Sequence, residues 1–200
     1  AAQLLQRKSA DDSATKLTEI IIREADRLQR LVDRMLGPNR RPEIASLNVH
    51  AALEHVRELL AVDLPPGLVI NRDYDPSLPD IMADKEQLVQ AFLNIAGNAL
   101  DAMSGSGELL LRTRARRQVT IGAIRHKLVA QIDICDTGPG ISPDMQAKIF
   151  YPMVTTRADG TGLGLSIAQT LVRSHGGLIE CESRPGRTVF SVFLPIAEGH

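Results

Sequence analysis

The chain has 200 residues, of which 44% are hydrophobic and 24% charged, a composition typical of a globular protein with a real core. A formal net charge of −1 and an aromatic content of 3% argue against a nucleic-acid binder. No apolar run reaches the roughly 20 residues of a membrane-spanning helix, and Cys135 and Cys181 lack the spacing of a metal site or a disulfide framework. We therefore expect a cytoplasmic protein with free thiols and no membrane segment.

The first predicted element is a long amphipathic helix that ends before Gly37 and Pro38. Its apolar residues recur at spacings near three and four, at Leu17, Ile21, Leu28, Leu31 and Met35. Residues 1–8 look like the end of a preceding helix, so we expect the chain to be a fragment. Two short helices cannot bury this stripe alone, and we favour a homodimer through residues 13–36 over packing against the rest of the chain.

The remainder of the chain mixes helices and strands without strict alternation. Asn48 and Asp84 are the predicted N-caps of helices over 49–62 and 85–103, and Ser142 is a third predicted N-cap. Strands are predicted over 68–76, 108–117 and 127–136 and on both sides of the "RPG" turn at 184–186, and a further helix over 165–177. This order predicts an α+β fold, a two-layer sandwich with helices on one face of a mixed sheet. The domain boundaries are 1–37, a linker at 38–42, and 43–200.

Two asparagines one turn apart, Asn94 and Asn98, interrupt the apolar sequence of the second of these helices and share a face with Asp101. Asparagine is unfavourable inside a helix because its amide competes with the backbone for hydrogen bonds. Two explanations stay open from the residues alone. The pair makes structural hydrogen bonds or faces solvent, or it ligates Mg²⁺, which accepts amide oxygens and bridges to substrate phosphates.

Two glycine-rich stretches follow, "DTGPG" at 136–140 and "GTGLGLS" at 160–166. The carboxylate of Asp136, at the end of a strand, can accept a hydrogen bond from an exocyclic amine such as that of adenine, while the glycines let a flat ring approach the backbone. The second stretch resembles a phosphate cradle, because bare amides precede a helix N-terminus. It has neither the lysine of a Walker loop nor the preceding strand of a Rossmann fingerprint, and glycine loops alone are weak evidence.

Five segments in order, "NIAGNALDA", "DTGPGI", "IFYPMVTT", "GTGLGLS" and "PGRTVFSVFLP", resemble the N, G1, F, G2 and final Gly-Thr boxes of the GHKL ATP-binding domain of sensor histidine kinases. The resemblance covers residues 43–196 and implies the Bergerat fold, preceded by part of the family's dimerisation hairpin. The longer phrase "FYPMVTTRADGTGLGLSIAQTLV" is similar to the nitrogen-regulation sensor kinases.

The resemblance implies ATP and Mg²⁺ as ligands. By the family pattern Asp136 takes the adenine amino group, Asn98 ligates Mg²⁺, and the second glycine stretch forms a lid over the phosphates. Nucleotide contacts are expected from Asn94, Asn98, Asp101, Asp136, Gly138, Gly140, Ile141, Gly160, Thr161, Gly162, Leu163, Gly164 and Thr188. The family also implies protein partners, namely a response regulator of the NtrC type and a PII-type signalling protein.

The departure from the family pattern concerns the phosphate acceptor, a histidine followed by an acidic residue and shortly afterwards by Asn-Pro. None of the five histidines has this context: His50, His55, His126, His175 and His200. We expect no catalytic residue in this chain and an acceptor upstream of Ala1. Two alternatives remain, a GHKL-type ATPase and a nucleotide-sensing dimerisation module. Asn94 disfavours the ATPase, because it stands where hydrolytic members of the superfamily have a water-orienting glutamate.

Overall fold

The computed structural model describes residues 42–155 and 161–196, all within one unit of the chain, Arg40–His200. The predicted helical hairpin at 1–37, the linker apart from Pro42, and Gly160 lie outside the described residues. Within the described ranges, no helix has the length and the apolar character needed to cross a bilayer.

The described residues form strands and helices in a mixed order. The strands are β1 (Ala45–Leu47), β2 (Gly67–Asp73), β3 (Ile81–Ala83), β4 (Ser106–Ile121), β5 (Ile124–Asp136), β6 (Leu178–Arg184) and β7 (Arg187–Pro195). The helices are α1 (Val49–Ala61), α2 (Lys85–Ala102), α3 (Pro143–Gln146) and α4 (Gly164–Ser174).

Five strands form a mixed sheet in the order β2-β4-β5-β7-β6. β2 runs parallel to β4, and the other neighbours are antiparallel. β1 and β3 form a separate antiparallel pair. The predicted fold class is confirmed, because α2 packs on β4 and β5 and α4 packs on β6.

The inner face of the sheet forms the core with the helices. Alternate residues of the three central strands are fully or almost fully buried, namely Leu109 and Leu111, Ile132 and Ile134, and Val192 and Leu194. The helices contribute Leu53, Val56, Leu88, Phe92 and Ile95, all fully buried. This burial explains the period-two pattern of the strands and the apolar stripe of α2.

The outer face of the sheet carries a polar network centred on Asp133, which is 1% exposed. Its carboxylate accepts hydrogen bonds from Arg112 Nε and Nη2 at 3.0 and 2.8 Å. Gln131 Nε2 and Ser191 Oγ donate to its other oxygen, each at 2.7 Å. Because this charge is paired with Arg112, its burial is tolerated.

The predicted helix caps are present with one exception. Asn48 Oδ1 accepts from His50 N at 2.9 Å, and Asp84 Oδ1 accepts from Gln87 N at 3.1 Å. Ser142 stands at the N-cap of α3, but its side chain makes no capping hydrogen bond. Its backbone carbonyl accepts from the amides of Met145 and Gln146 instead.

The strands depart from the prediction in three places, one of which is the end of β2 at Asp73 rather than at residue 76. β1 and β3 were not predicted, because each has three residues, too few to show a period. β4 and β5 extend further than predicted, to a turn at 122–123. Within β4, Gln118 has a positive φ of 57°, which interrupts the pairing without changing its register.

Candidate functional site

Asp136 lies at the end of β5 with its side chain on the inner face of the sheet. It is 4% exposed, and its register partner on β7 is Thr188, which is 3% exposed. The amide of Gly138 donates to Asp136 Oδ1 at 2.9 Å. Burial raises the pKa of Asp136, and the Gly138 amide offsets part of that rise. The fold therefore holds a hydrogen-bond acceptor in a site with little access to water.

The loop after Asp136 follows the turn between β6 and β7 closely. Gly140 has a φ of 85°, and a Cβ built there would lie 2.8 Å from the carbonyl oxygen of Arg184. The amide of Gly186 donates to the carbonyl of Gly138 at 3.0 Å. Only glycine fits at position 140, for both conformational and steric reasons.

Hydrogen bonds of Ser183, Thr188 and Gln146 hold this loop against the last hairpin. These contacts were not predicted from the sequence. The amide of Ile141 donates to Ser183 Oγ at 2.8 Å, and Ser183 Oγ lies 2.8 Å from Thr188 Oγ1. Gln146 Nε2 donates to the carbonyls of Ile141 and Ser183, at 2.8 and 3.1 Å. The sequence held a signal for Ser183, because a two-residue turn at 185–186 places it opposite Thr188.

One stripe of α2 touches both glycine stretches. Asn94, Asn98 and Ala102 follow each other at spacings of four. A Cβ built at Gly164 would lie 3.5 Å from Asn98 Nδ2 and 3.9 Å from Asn94 Cβ, and one built at Gly138 would lie 3.6 Å from Ala102 Cβ. The fold thus brings both predicted loops to the same helix. Asp101, also predicted, lies exposed in the last turn of α2.

The second glycine stretch leads into the N-terminus of α4. Leu163 is buried and occupies the N-cap without a side-chain capping bond. Thr161 Oγ1 accepts from the Leu163 amide at 3.4 Å, and the carbonyl of Gly162 accepts from the Met153 amide at 3.0 Å. The first-turn amides of α4 have no partners within the helix, so they offer donors beside Asn98.

The side chains around α2 fit a nucleotide with its magnesium ion. Asn94 Nδ2 is buried and has no hydrogen-bond partner in the described part of the chain. Within the same part, no group of three His, Cys, Asp or Glu residues could hold a metal. A cation at this place would need amide oxygens and ligand phosphates, a donor set that Mg²⁺ accepts.

The described histidines occupy structural positions. His50 stacks on Tyr74 at a centroid distance of 4.9 Å, and its Nε2 lies 2.9 Å from Thr113 Oγ1. His175 follows α4 and accepts from the Asp84 amide at 3.0 Å. His55 lies exposed on α1, and His126 lies in β5. His200 lies outside the described residues.

Both cysteines are free, as predicted. Burial raises the pKa of Cys135 to about 11 and that of Cys181 to about 12. Neither thiol is a nucleophile at neutral pH, because the thiolate is the reactive form.

These features define a nucleotide-binding α/β sandwich, and comparison with known proteins agrees. The model of the family "Histidine kinase-, DNA gyrase B-, and HSP90-like ATPase" matches residues 83–198, more than half of the chain. The chain belongs to this family.

Within the family the chain is similar to sensory histidine kinases named NtrB. It is 49% identical over 198 residues to the sensory histidine kinase/phosphatase NtrB of Vibrio alginolyticus, a match that covers 98% of this chain and 57% of that protein. The chain therefore spans little more than half the length of the curated relatives it matches.

Two solved structures share the fold. Full-length ShkA in complex with AMPPNP is 30% identical with a TM-score of 0.72, over 88% of this chain and 37% of that chain. The histidine kinase ThkA in complex with the response regulator protein TrrA is 24% identical with a TM-score of 0.69, over 89% of this chain and 50% of that chain. At that identity the second likeness concerns the fold alone.

The comparisons confirm the predicted family, the nitrogen-regulation likeness and ATP with Mg²⁺ as the ligands of this type of domain. The roles of individual residues stay predictions. The structure gathers Asp136, Gly138, Gly140, Ile141 and Thr188 around one loop, and Asn94, Asn98, Thr161, Gly162, Leu163 and Gly164 around the other.

Proposed function

We propose that this chain is the ATP-binding catalytic part of a sensor histidine kinase in nitrogen regulation. It transfers the γ-phosphoryl group of ATP to a histidine on a helix. That acceptor is none of the five histidines of this chain. The observation that carries the proposal is the α2 stripe, since Asn98 and Ala102, one turn apart, lie close to the two glycine stretches. That spacing suits a ligand with a flat base at one end and phosphates at the other.

Each end of the site has a distinct task in this proposal. Asp136 accepts the adenine amine, and Gly138 and Gly140 leave room for the ring. The amides at the start of α4 bind the phosphates, and Asn98 holds Mg²⁺, which would neutralise phosphate charge during transfer. Thr161, Gly162 and Leu163, with Gly160, close over the phosphates, and Asp101 lies at the rim.

Asn94 favours transfer over hydrolysis. An amide is not a base at neutral pH, so it cannot take a proton from an attacking water. Placing an acceptor in line with the γ-phosphate is then the main catalytic requirement, and a protein histidine on a dimerisation hairpin meets it.

The proposal includes partners and a location. Residues 13–36, with their apolar stripe, form a homodimer, and the phosphoryl group passes to a response regulator of the NtrC type. The name of the NtrB relative, a kinase/phosphatase, supports both phosphorylation and dephosphorylation of that partner. A PII-type protein is a further partner, and the free thiols agree with the reducing cytoplasm.

Calorimetry tests the base site. Asp136→Asn should weaken ADP binding by about 1–3 kcal/mol, roughly 5-fold to 150-fold, because the adenine amine loses its charged acceptor. Asp144→Asn is the matched control, since it removes an exposed carboxylate from the neighbouring helix α3. Equal affinities for the native chain and Asp136→Asn would show that Asp136 does not read the base.

A labelling experiment tests the transfer. The chain is incubated with γ-labelled ATP, alone and with the helical hairpin of an NtrB relative. We expect acid-labile label on the hairpin and none on the chain, because phosphohistidine is lost in acid. Acid-labile label on the chain alone would assign the acceptor to one of its own histidines, and steady phosphate release without label would favour the ATPase.

A further inference from the structure

We propose that Ser183 is a positioning residue of the base site, one that fixes the direction in which the Thr188 hydroxyl donates its hydrogen bond. Through that direction Ser183 contributes to the preference for adenine over guanine. The inference rests on the proposed adenine site at Asp136.

The hydrogen bond between Ile141 and Ser183 has a fixed direction. The backbone amide of Ile141 can only donate, and it lies 2.8 Å from Ser183 Oγ. Ser183 Oγ therefore already accepts one hydrogen bond. Its backbone carbonyl is engaged as well, by Gln146 Nε2 at 3.1 Å. These contacts hold the Ser183 side chain against the loop that follows Asp136.

The second contact joins two hydroxyls, Ser183 Oγ and Thr188 Oγ1, at 2.8 Å. Each hydroxyl has one proton, so one of the two must donate to the other. If Thr188 donated, Ser183 would accept twice and its own proton would have no acceptor in the described part of the chain. If Ser183 donates, both of its bonds are satisfied, and the Thr188 proton stays available for a ligand.

The Thr188 hydroxyl stands beside the carboxylate of Asp136. The two residues are register partners on β7 and β5, both at most 4% exposed, with side chains on the same face. An acceptor and a donor side by side match the edge of adenine, where the amine at C6 adjoins the acceptor N1. Thr188 can reach N1 directly or through one water. Guanine presents the opposite pattern, a carbonyl at C6 and a donor at N1, and both groups oppose it.

Removal of the Ser183 hydroxyl frees the Thr188 hydroxyl to rotate without removing it. Ser183→Ala should therefore weaken ADP binding about tenfold, the effect of one hydrogen bond in a buried site. The preference for ADP over GDP should fall by a similar factor. The affinity for 1-deaza-ADP, which lacks the N1 acceptor, should stay within about twofold of that of the native chain, because this ligand never used the Thr188 proton.

Two further variants test whether Ser183 orients the Thr188 hydroxyl or only supports the fold. Ser183→Thr keeps the hydroxyl and should keep the ADP affinity. Ser191→Ala removes a hydroxyl from the same hairpin on the opposite face, where it binds Asp133, and should leave ADP binding unchanged. If Ser183→Ala does not fold, Ser183→Cys, with a similar shape and a weak donor, should show a smaller loss with the same dependence on N1.

Calorimetry with ADP, GDP and 1-deaza-ADP on these variants and on Asp136→Asn decides between the outcomes. Equal weakening of ADP and 1-deaza-ADP by Ser183→Ala would overturn the inference, because Ser183 would then only support the loop. If Asp136→Asn weakens ADP binding and Ser183→Ala does not, the inference fails while the base site stands. An unchanged ADP affinity in Asp136→Asn would remove the base site itself.

Discussion

The base loop, residues 136–141, and the phosphate segment, residues 161–164, are both glycine-rich, but they are held in different ways. Hydrogen bonds from the β6–β7 hairpin and α3 engage the base loop at Gly138 and at both backbone groups of Ile141. In the described part of the chain, the phosphate segment has one backbone hydrogen bond to a neighbouring loop, from the Met153 amide to the Gly162 carbonyl. Its other hydrogen bonds from outside come from α4, which follows it, where Ile167 N and Ser166 Oγ donate to the Leu163 carbonyl. The glycines of the base loop thus lie in a segment that hydrogen bonds hold in place, whereas those of the phosphate segment lie in one with few hydrogen bonds.

The difference follows from what each region is proposed to bind. A flat base needs an acceptor and a donor at fixed positions, and fixing them before the ligand arrives lowers the entropy lost on binding. Phosphates need several amide donors at once, and those donors must be without internal partners to be available. The small number of internal hydrogen bonds in the phosphate segment is therefore a requirement of its proposed function.

The largest expected effect comes from breaking the base loop at Gly140. A Cβ there meets the carbonyl of Arg184 at 2.8 Å in a backbone conformation with φ at 85°. Gly140→Ala should lower the free energy of unfolding by about 3 kcal/mol, the sum of the left-handed conformation and the steric overlap. Denaturant unfolding followed by circular dichroism measures it.

Gly122→Ala is the control for conformation alone. Gly122 also has a positive φ, 60°, but nothing lies within 4 Å of a Cβ built there. It should lower the free energy of unfolding by only about 1 kcal/mol. Equal losses in the two variants would mean that the base loop is not held against the hairpin.

The second prediction concerns the phosphate segment at Gly162. A Cβ at this position would lie 2.6 Å from the carbonyl carbon of Met153, with φ at 64°. Gly162→Ala should displace the segment, and because few bonds hold it, the expected loss of stability is about 1 kcal/mol. The ratio of ADP to AMP affinity, measured by calorimetry, should fall about tenfold, since the β-phosphate loses amide donors. A loss shared equally by ADP and AMP would contradict separate tasks for the two regions.

The third prediction uses pH to weaken the hydrogen bond between Asp136 and the adenine amine. Burial raises the pKa of Asp136, so its carboxylate takes up a proton at a higher pH than an ordinary aspartate does. A protonated carboxyl is a weaker acceptor, so ADP affinity should fall as the pH is lowered from about 7 towards the ordinary aspartate value of about 3.9.

Asp136→Asn is the reference for this pH series, because it has no carboxyl at this position to titrate. Titration of the ADP phosphates affects both proteins equally and cancels in the ratio of their affinities. A ratio that does not change with pH would show that protonation of Asp136 plays no part in binding.

Much of the fold and of the site was predictable from the sequence, for local reasons. The caps Asn48 and Asp84 act within three residues, and the strand-end position of Asp136 follows from alternation in β5. The Ser183 network was not predicted, because it depends on the hairpin register and on the close approach of the 136–141 loop. The contact of Gly164 with Asn98 likewise depends on how α4 packs on α2, which no local pattern encodes.

The smallest expected effect is a gain in stability in Asp136→Asn, the variant that is expected to bind ADP more weakly. The raised pKa of Asp136 means that the folded state disfavours its ionised form, so above that pKa the charge destabilises the nucleotide-free protein. In Asp136→Asn the amide oxygen still accepts from Gly138, without the buried charge. At about pH 7 the variant should therefore have a higher free energy of unfolding than the native chain.

This advantage should shrink as the pH falls and disappear below the ordinary aspartate value of about 3.9, where both states of the native chain are protonated. Denaturant unfolding of both proteins at about pH 7 and about pH 4, without nucleotide, measures the difference. A variant less stable than the native chain at neutral pH would show that the Asp136 carboxylate supports the base loop. On the present geometry it is instead a charge kept for the ligand, at some expense to the fold.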